Sequence, residues 1–267
     1  MYPFNYYRPN TINEAVESFK SFEEVQWLAG GMTLLPSLKL RLAAPGALID
    51  LNHIEELRGV ATKAKKITIG AMTRHDDVNS SIEIKRAIPA LSFLAGGIGD
   101  SQVRNRGTIG GSISNNDPAA DYPAAILGLN ATIKTNNREI AADNFFTGMF
   151  ETSLQEGEII KEIVFPLPDI AGYVKFPHPA SGYAISAVMV ARFGKTVRVA
   201  VTGVASCVFR MSKLEEVLAQ NFIPEAADYI ELDRDDINSD LAASAEYRAS
   251  LTRVMAKRAI EVAQQNG

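Results

Sequence analysis

Three scarcities narrow the chemistry of this 267-residue chain: one cysteine, one tryptophan and three histidines. A single thiol, Cys207, excludes an internal disulfide and any iron–sulfur cluster held by this chain alone, because such clusters generally take four thiolates. The run Val204-Ala205-Ser206-Cys207-Val208-Phe209 reads as an apolar strand, so Cys207 is expected to be an inert core thiol. His53, His75 and His178 show no metal-ligand spacing, and no protein-bound metal is expected. Positive charge is also in short supply: the net charge is −4 and the lysines and arginines are scattered, which argues against nucleic-acid binding. No apolar run approaches ~18 residues, the length a spanning helix needs. The opening Met1-Tyr2-Pro3-Phe4-Asn5-Tyr6-Tyr7-Arg8-Pro9 lacks the basic and apolar regions of a signal peptide, so a cytoplasmic location is expected.

Glycine, by contrast, is concentrated where it can act. Two loops about eighty residues apart, Ala29-Gly30-Gly31-Met32-Thr33-Leu34 and Thr108-Ile109-Gly110-Gly111-Ser112-Ile113-Ser114, each follow an apolar segment and carry a hydroxyl residue. Paired glycines permit close backbone approach, so their N–H groups can converge on phosphate oxygens. Taken alone, either pair reads as an ordinary turn. Together, with the Asn115-Asn116-Asp117-Pro118 turn and Asp121 behind them, they read as two halves of one anion cradle that needs no lysine or arginine.

Length and an ordinary composition, 46% hydrophobic and 22% charged, predict two or three packed units. Residues 1–55 form the first: Thr11-Ile12-Asn13-Glu14 fits a capping box for a helix over 12–20, and strands are predicted at 25–29 and 47–51. Residues 56–166 form the second, with strands at 66–70, 131–134 and 159–165 and helical stretches near 74–80 and 83–99. The breaker-rich segment 166–172 is the expected linker. A third unit, 173–267, is read as a sheet covered by helices: strands 184–192 and 196–209 joined by a hairpin at 193–195, then helices near 212–219 and 244–264.

Two familiar patterns fail on inspection. Gly194-Lys195-Thr196 looks like the end of a phosphate-binding P-loop, but Met189 occupies the required glycine position and the segment joins two strands. Gly97-Ile98-Gly99 begins like a dinucleotide fingerprint, yet Gln102 stands at the third glycine. No serine, histidine and aspartate set lies in a nucleophile-elbow context.

The loops and their flanks carry a family resemblance. Together with Pro3–Pro9, Ile69-Gly70-Ala71-Met72-Thr73, the stretch from Gln102 to Ser112, Asp117-Pro118-Ala119-Ala120-Asp121, Lys175-Phe176-Pro177-His178-Pro179-Ala180-Ser181, Ala245-Glu246-Tyr247-Arg248 and Lys257-Arg258-Ala259, they make nearly the whole chain resemble the flavin-binding medium subunit of the molybdenum hydroxylases, the family of carbon monoxide and xanthine dehydrogenases. The resemblance implies an α+β protein of the vanillyl-alcohol-oxidase type: extended, noncovalent FAD between two α/β subdomains, closed by a C-terminal α+β domain. Both glycine loops, Ala29 to Leu34 and Thr108 to Ser112, would wrap the pyrophosphate. Ser114, Asn115 and Asp121 match positions contacting the phosphates, ribityl chain or adenosine. Ile98 and Ile160 match positions lining the cofactor, Lys175 a flavin-proximal lysine, and Tyr183 a tyrosine near the isoalloxazine ring. Core packing accounts for Ile98, Ile160 and Tyr183 equally well, and a solvated surface position remains open for Lys175. Met32 departs from the polar residue common at its position, and no histidine stands in 28–37 to tether flavin covalently.

The implied role is electron transfer without acid–base catalysis by this chain. A large subunit would carry the molybdenum cofactor and oxidise the substrate, and a small subunit with two [2Fe-2S] clusters would relay electrons to FAD here. The implied assembly is a dimer of heterotrimers, and the acceptor is a quinone, NAD, oxygen or another carrier, the first of which would bring peripheral membrane contact. Two rival readings stay open: a self-sufficient flavoenzyme resembling the enolpyruvyl-glucosamine reductases, and a non-catalytic nucleotide-binding assembly module.

Overall fold

A computed structural model describes residues 1–233 and 236–266; Arg234, Asp235 and Gly267, within the range 173–267, lie outside the described residues. Three main sheets follow one another along the chain. The first is parallel: Asn5–Tyr7 and Val25–Leu28 flank Ala47–Asp50, with helices Ile12–Lys20 and Leu34–Lys39 packed around them. Thr11 caps the helix Ile12–Lys20 as predicted, its hydroxyl accepting from Glu14 N at 3.1 Å, while the Glu14 carboxylate accepts from Asn10 N, one residue before the cap.

The second sheet is antiparallel and five-stranded, in the order Val60–Lys63, Lys66–Gly70, Ile160–Pro166, Thr132–Thr135, Glu139–Ala141. Helices between His75 and Gly128 cover it. The predicted helical stretch 83–99 is broken into Ile82–Ala87 and Pro89–Gly96, because the residue before a proline is driven out of helical angles; Ile88 sits at φ −144°, ψ 76°.

The third sheet runs Ile170–Pro177, Ala184–Phe193, Thr196–Thr202, Phe209–Arg210, all antiparallel. Along Ala184–Phe193 alternate side chains face opposite ways: Ala187, Met189 and Ala191 join the core of the second unit, whereas Val188 and Val190 pack toward helix Ala245–Gln265. Gly172 lets that helix approach closely, since a Cβ there would stand 2.6 Å from Ala263 N.

Two sequence expectations change here. The segment 166–172 is not a free linker: Ile170 already begins a strand, and Ala171 and Tyr173 belong to the same buried cluster as Ile69 and Ile163. The strand expected over 196–209 stops at Thr202. Gly203, at φ +85°, donates to Pro118 O at 2.8 Å and turns the chain, so Val204 and Val208 are buried although the segment between them is not a strand. Cys207 lies in this turn, half-buried, and accepts from the Asn116 amide at 3.6 Å.

Candidate functional site

The first unit, the second unit and the loop before Ala184 enclose a cavity of about 920 Å³. This lies at the upper end of the size usual for a small-molecule or cofactor site. Ala29, Gly30, Gly31, Met32, Thr33, Leu34, Ile98, Thr108, Gly110, Gly111, Ser112, Ser114, Asn115, Asp121, Ile160 and Tyr183 all line it. Ile109 and Lys175 do not. The Ile109 side chain is fully buried in the core, and Lys175 stands behind the wall.

The two glycine loops meet. A Cβ on Gly111 would come within 3.2 Å of Ala29 Cβ, and one on Gly30 would stand 2.7 Å from Gly107 Cα and clash with Arg106 O. They are unlike in how their donors are used. The first loop leaves strand Val25–Leu28 and enters helix Leu34–Lys39 through Gly31, at φ +75°. The backbone N–H groups from Gly30 to Leu34 have no hydrogen-bond partner among the described residues. The second loop is instead the start of helix Ile109–Asn115, with Thr108 as its N-cap. Its hydroxyl accepts from Gly111 N at 3.1 Å; Ile109 N donates to Thr73 O, Gly110 N to Ala71 O and Ser112 N to Thr108 O. The expected symmetry of backbone donors is thus corrected by helix capping. What the second loop leaves open is side-chain hydroxyl and amide, on Ser112, Ser114 and Asn115. The predicted turn follows directly: Asn116 adopts the left-handed conformation, φ 42°, and its amide donates to Gly148 O and Glu151 O at 2.8 Å.

The described residues lining the cavity include no lysine or arginine. One carboxylate of the wall, Asp121, is held by groups that do not line the cavity. Asp121 is buried, and its Oδ1 accepts from Tyr173 Oη at 2.5 Å and pairs with Lys175 Nζ at 2.9 Å. Burial pushes its carboxyl up, and the ammonium of Lys175 opposes that shift. Lys175 Nζ also donates to Gly97 O at 2.7 Å and Gly182 O at 3.0 Å, so its three donors are all engaged. This ties the segment before Ile98 to the loop carrying Tyr183. Burial, then the charges of Asp117 and Asp121, raise the Tyr183 phenol.

Sequence reasoning missed three parts of the wall. Phe19 and Trp27, stacked with centroids 4.6 Å apart, line one region of the cavity. Residues Leu154–Ile159 also contribute; within them the buried Glu158 is clamped by Arg138, Nε to Oε1 and Nη2 to Oε2, both at 3.0 Å. His75 is the third, at the first position of helix His75–Ser80. Its lack of metal-ligand spacing gives no signal in the sequence, and its burial in the fold is what singles it out.

Comparison with known proteins decides what this architecture is. Residues 2–168 match the family model described as the FAD binding domain in molybdopterin dehydrogenase, and residues 177–263 match the CO dehydrogenase flavoprotein C-terminal domain. The chain belongs to the FAD-binding medium subunits of the molybdenum hydroxylases. It is 34% identical to the glyceraldehyde dehydrogenase medium chain of Sulfolobus acidocaldarius, over 98% of this chain and 99% of that one. It is 35% identical to the carbon monoxide dehydrogenase medium chain of Hydrogenophaga pseudoflava, over 97% and 96%. Among solved structures, reconstituted CO dehydrogenase from Oligotropha carboxidovorans superposes with a TM-score of 0.91 at 31% identity, covering 99% of each chain. The resemblance read from the glycine loops is borne out, as is the fold, and the cofactor of this family is FAD.

The residues present suit that group. A dinucleotide pyrophosphate needs converging donors, and the first loop supplies unpartnered N–H groups beside free hydroxyls. No helix among the described residues is long and apolar enough to cross a membrane.

Proposed function

We propose that this chain is the flavin-bearing electron-transfer subunit of a heteromeric molybdenum hydroxylase, working with a large molybdenum subunit that oxidises the substrate and a small [2Fe-2S] subunit. The observation that carries the reading is the cavity itself. It combines a cradle of backbone N–H groups, without lysine or arginine among the described lining residues, with the full-length likeness to medium chains. FAD, when bound, accepts electrons singly and can deliver them in pairs.

The chain's residues divide the remaining work. The N–H groups of Gly30 to Leu34, with Thr33, Ser112 and Ser114, hold the pyrophosphate, and Asn115 and Asp121 orient the chain between the phosphates and the rings. Thr108, Ile109, Gly110 and Gly111 shape that wall, Ile109 as its core anchor. Ile160 packs the cofactor's flank, and Ile98 and Tyr183 border the ring. Lys175 acts indirectly, by fixing Asp121 and the separation of Gly97 from Gly182. The units are taken as 1–55, 56–166 and 173–267. The assembly is a cytoplasmic dimer of heterotrimers with noncovalent FAD, passing electrons to a quinone, NAD, oxygen or another carrier; a quinone acceptor would bring peripheral membrane contact.

The test is the visible spectrum of the purified chain before and after acid precipitation, with the released compound identified by mass. Soluble FAD supports the reading. A colourless chain that takes up no added FAD, alone or with its partner subunits, overturns it.

A further inference from the structure

His75 lines the cavity, and the reading above gives its imidazole no work. It is 4% exposed, and neither ring nitrogen has a hydrogen-bond partner among the described residues. A buried polar group without a partner is costly, so such a group calls for an explanation. Its surroundings are specific. The helix start places the imidazole against Tyr122, ring centroids 5.3 Å apart, and the fully buried Tyr122 hydroxyl also has no partner. On the other side Nε2 faces Gly107. A Cβ at Gly107 would come within 2.5 Å of that nitrogen, although the backbone there is not in a left-handed conformation. Glycine at 107 is therefore required by space: it keeps Nε2 uncovered. Gly107 is also the residue on which Gly30 of the first loop packs. Nδ1 is the fully buried nitrogen of the ring, whereas Nε2 stands at the junction of the two glycine loops, in a cavity wall whose described residues include no lysine or arginine.

We infer that His75 is a cofactor-binding residue, its Nε2–H donating to a pyrophosphate oxygen of the bound dinucleotide through the gap left by Gly107, with Nδ1 turned toward Tyr122. The inference rests on the FAD reading above and adds to it a donor that the two loops do not contain. Burial drives the imidazole pKa down to about 4, so at pH 7 it is neutral with one N–H to give. A neutral donor lets an anion be bound in a pocket that offers no countercharge.

The experiment compares wild type, His75→Phe and His75→Gln as full chains stripped of flavin. Phe fills the space without a donor, whereas the Gln amide reaches the Nε2 position. Titrations use FAD, ADP and riboflavin, and a melting curve checks that each variant is folded. The expected result is that His75→Phe weakens FAD and ADP by about tenfold to a hundredfold, the range for a hydrogen bond to a charged group. His75→Gln should stay within about threefold of wild type, and riboflavin should bind all three alike. Imidazole-¹⁵N spectra of wild type, which need no mutation, should show the Nε2 resonance shift on ADP binding. Unchanged FAD affinity in His75→Phe, equal losses in both variants, or a silent Nε2 resonance each overturn the assignment while wild-type FAD binding leaves the proposed function standing. Failure of wild type itself to bind FAD strikes the proposed function first.

Discussion

Acid should undo this protein partly through His75, and the size of the effect follows from burial. The group titrates near 6.5 in an unfolded chain and at about 4 in the folded one, because burial disfavours the imidazolium and Arg104 repels it. A lowered folded pKa means that the unfolded state takes up the proton first. Stability is therefore complete above pH 6.5 and falls as pH drops, until both states are protonated below about 4. One pKa unit is worth about 1.36 kcal/mol, so 2.5 units amount to about 3.4 kcal/mol, with about 2 kcal/mol already lost by pH 5. Such a loss is a large fraction of a typical domain's stability. The assay is urea unfolding of flavin-free wild type and His75→Phe at intervals from pH 7 to pH 4; bound cofactor would add its own linkage. The carboxylates titrate in both proteins and cancel in the difference. The wild-type curve should lose about 3 kcal/mol relative to the variant across that window. A difference that stays constant with pH would refute the neutral, buried imidazole.

Two further substitutions test the cradle and its support. Gly30→Ala places a methyl against the Arg106–Gly107 backbone, which cannot give way as a side-chain tip can; a loss of about 1–3 kcal/mol in unfolding free energy and loss of the visible flavin band are expected. Lys175→Met leaves the buried Asp121 carboxylate without its ammonium partner and should cost about 3–5 kcal/mol, with most of that recovered in the Asp121→Asn/Lys175→Met double variant, as measured in a double-mutant cycle.

How much of this was legible beforehand depends on the range over which each signal acts. Thr11 capping its helix, strands at Val25–Leu28, Lys66–Gly70 and Ile160–Pro166, and the long helix Ala245–Gln265 all follow from neighbouring residues, and pattern reading reached them. The break at Ile88 was also local, since Pro89 announces it, and helical periodicity on both sides masked it. Val204–Val208 could not be read the same way. Its apolar run is a strand by pattern, and it is turned by a contact between Gly203 and Pro118, eighty-five positions away.

The glycine loops show the same divide within a single site. That they form one cradle was readable, because doubled glycine followed by a hydroxyl is unusual and occurs twice. Which loop presents free N–H groups was not, because that depends on whether the adjoining helix is capped from within. Thr108 caps its helix and consumes Gly111 N; Thr33 makes no such bond, and the first loop keeps its donors. The carbonyls of Thr73, Ala71 and Thr108 take the remaining N–H groups of the second loop, so the two loops differ in backbone setting as well as in capping. Lys175 follows the same logic. As a charge in the sequence it looks like a ligand for flavin or a solvated surface group. In the fold its three donors serve Asp121, Gly97 and Gly182, and so tie the segment before Ile98 to the loop carrying Tyr183. A cradle whose attraction comes from backbone and neutral side chains would bind the same anion with little dependence on salt, whereas one built on exposed lysines would weaken steeply as the ionic strength rises.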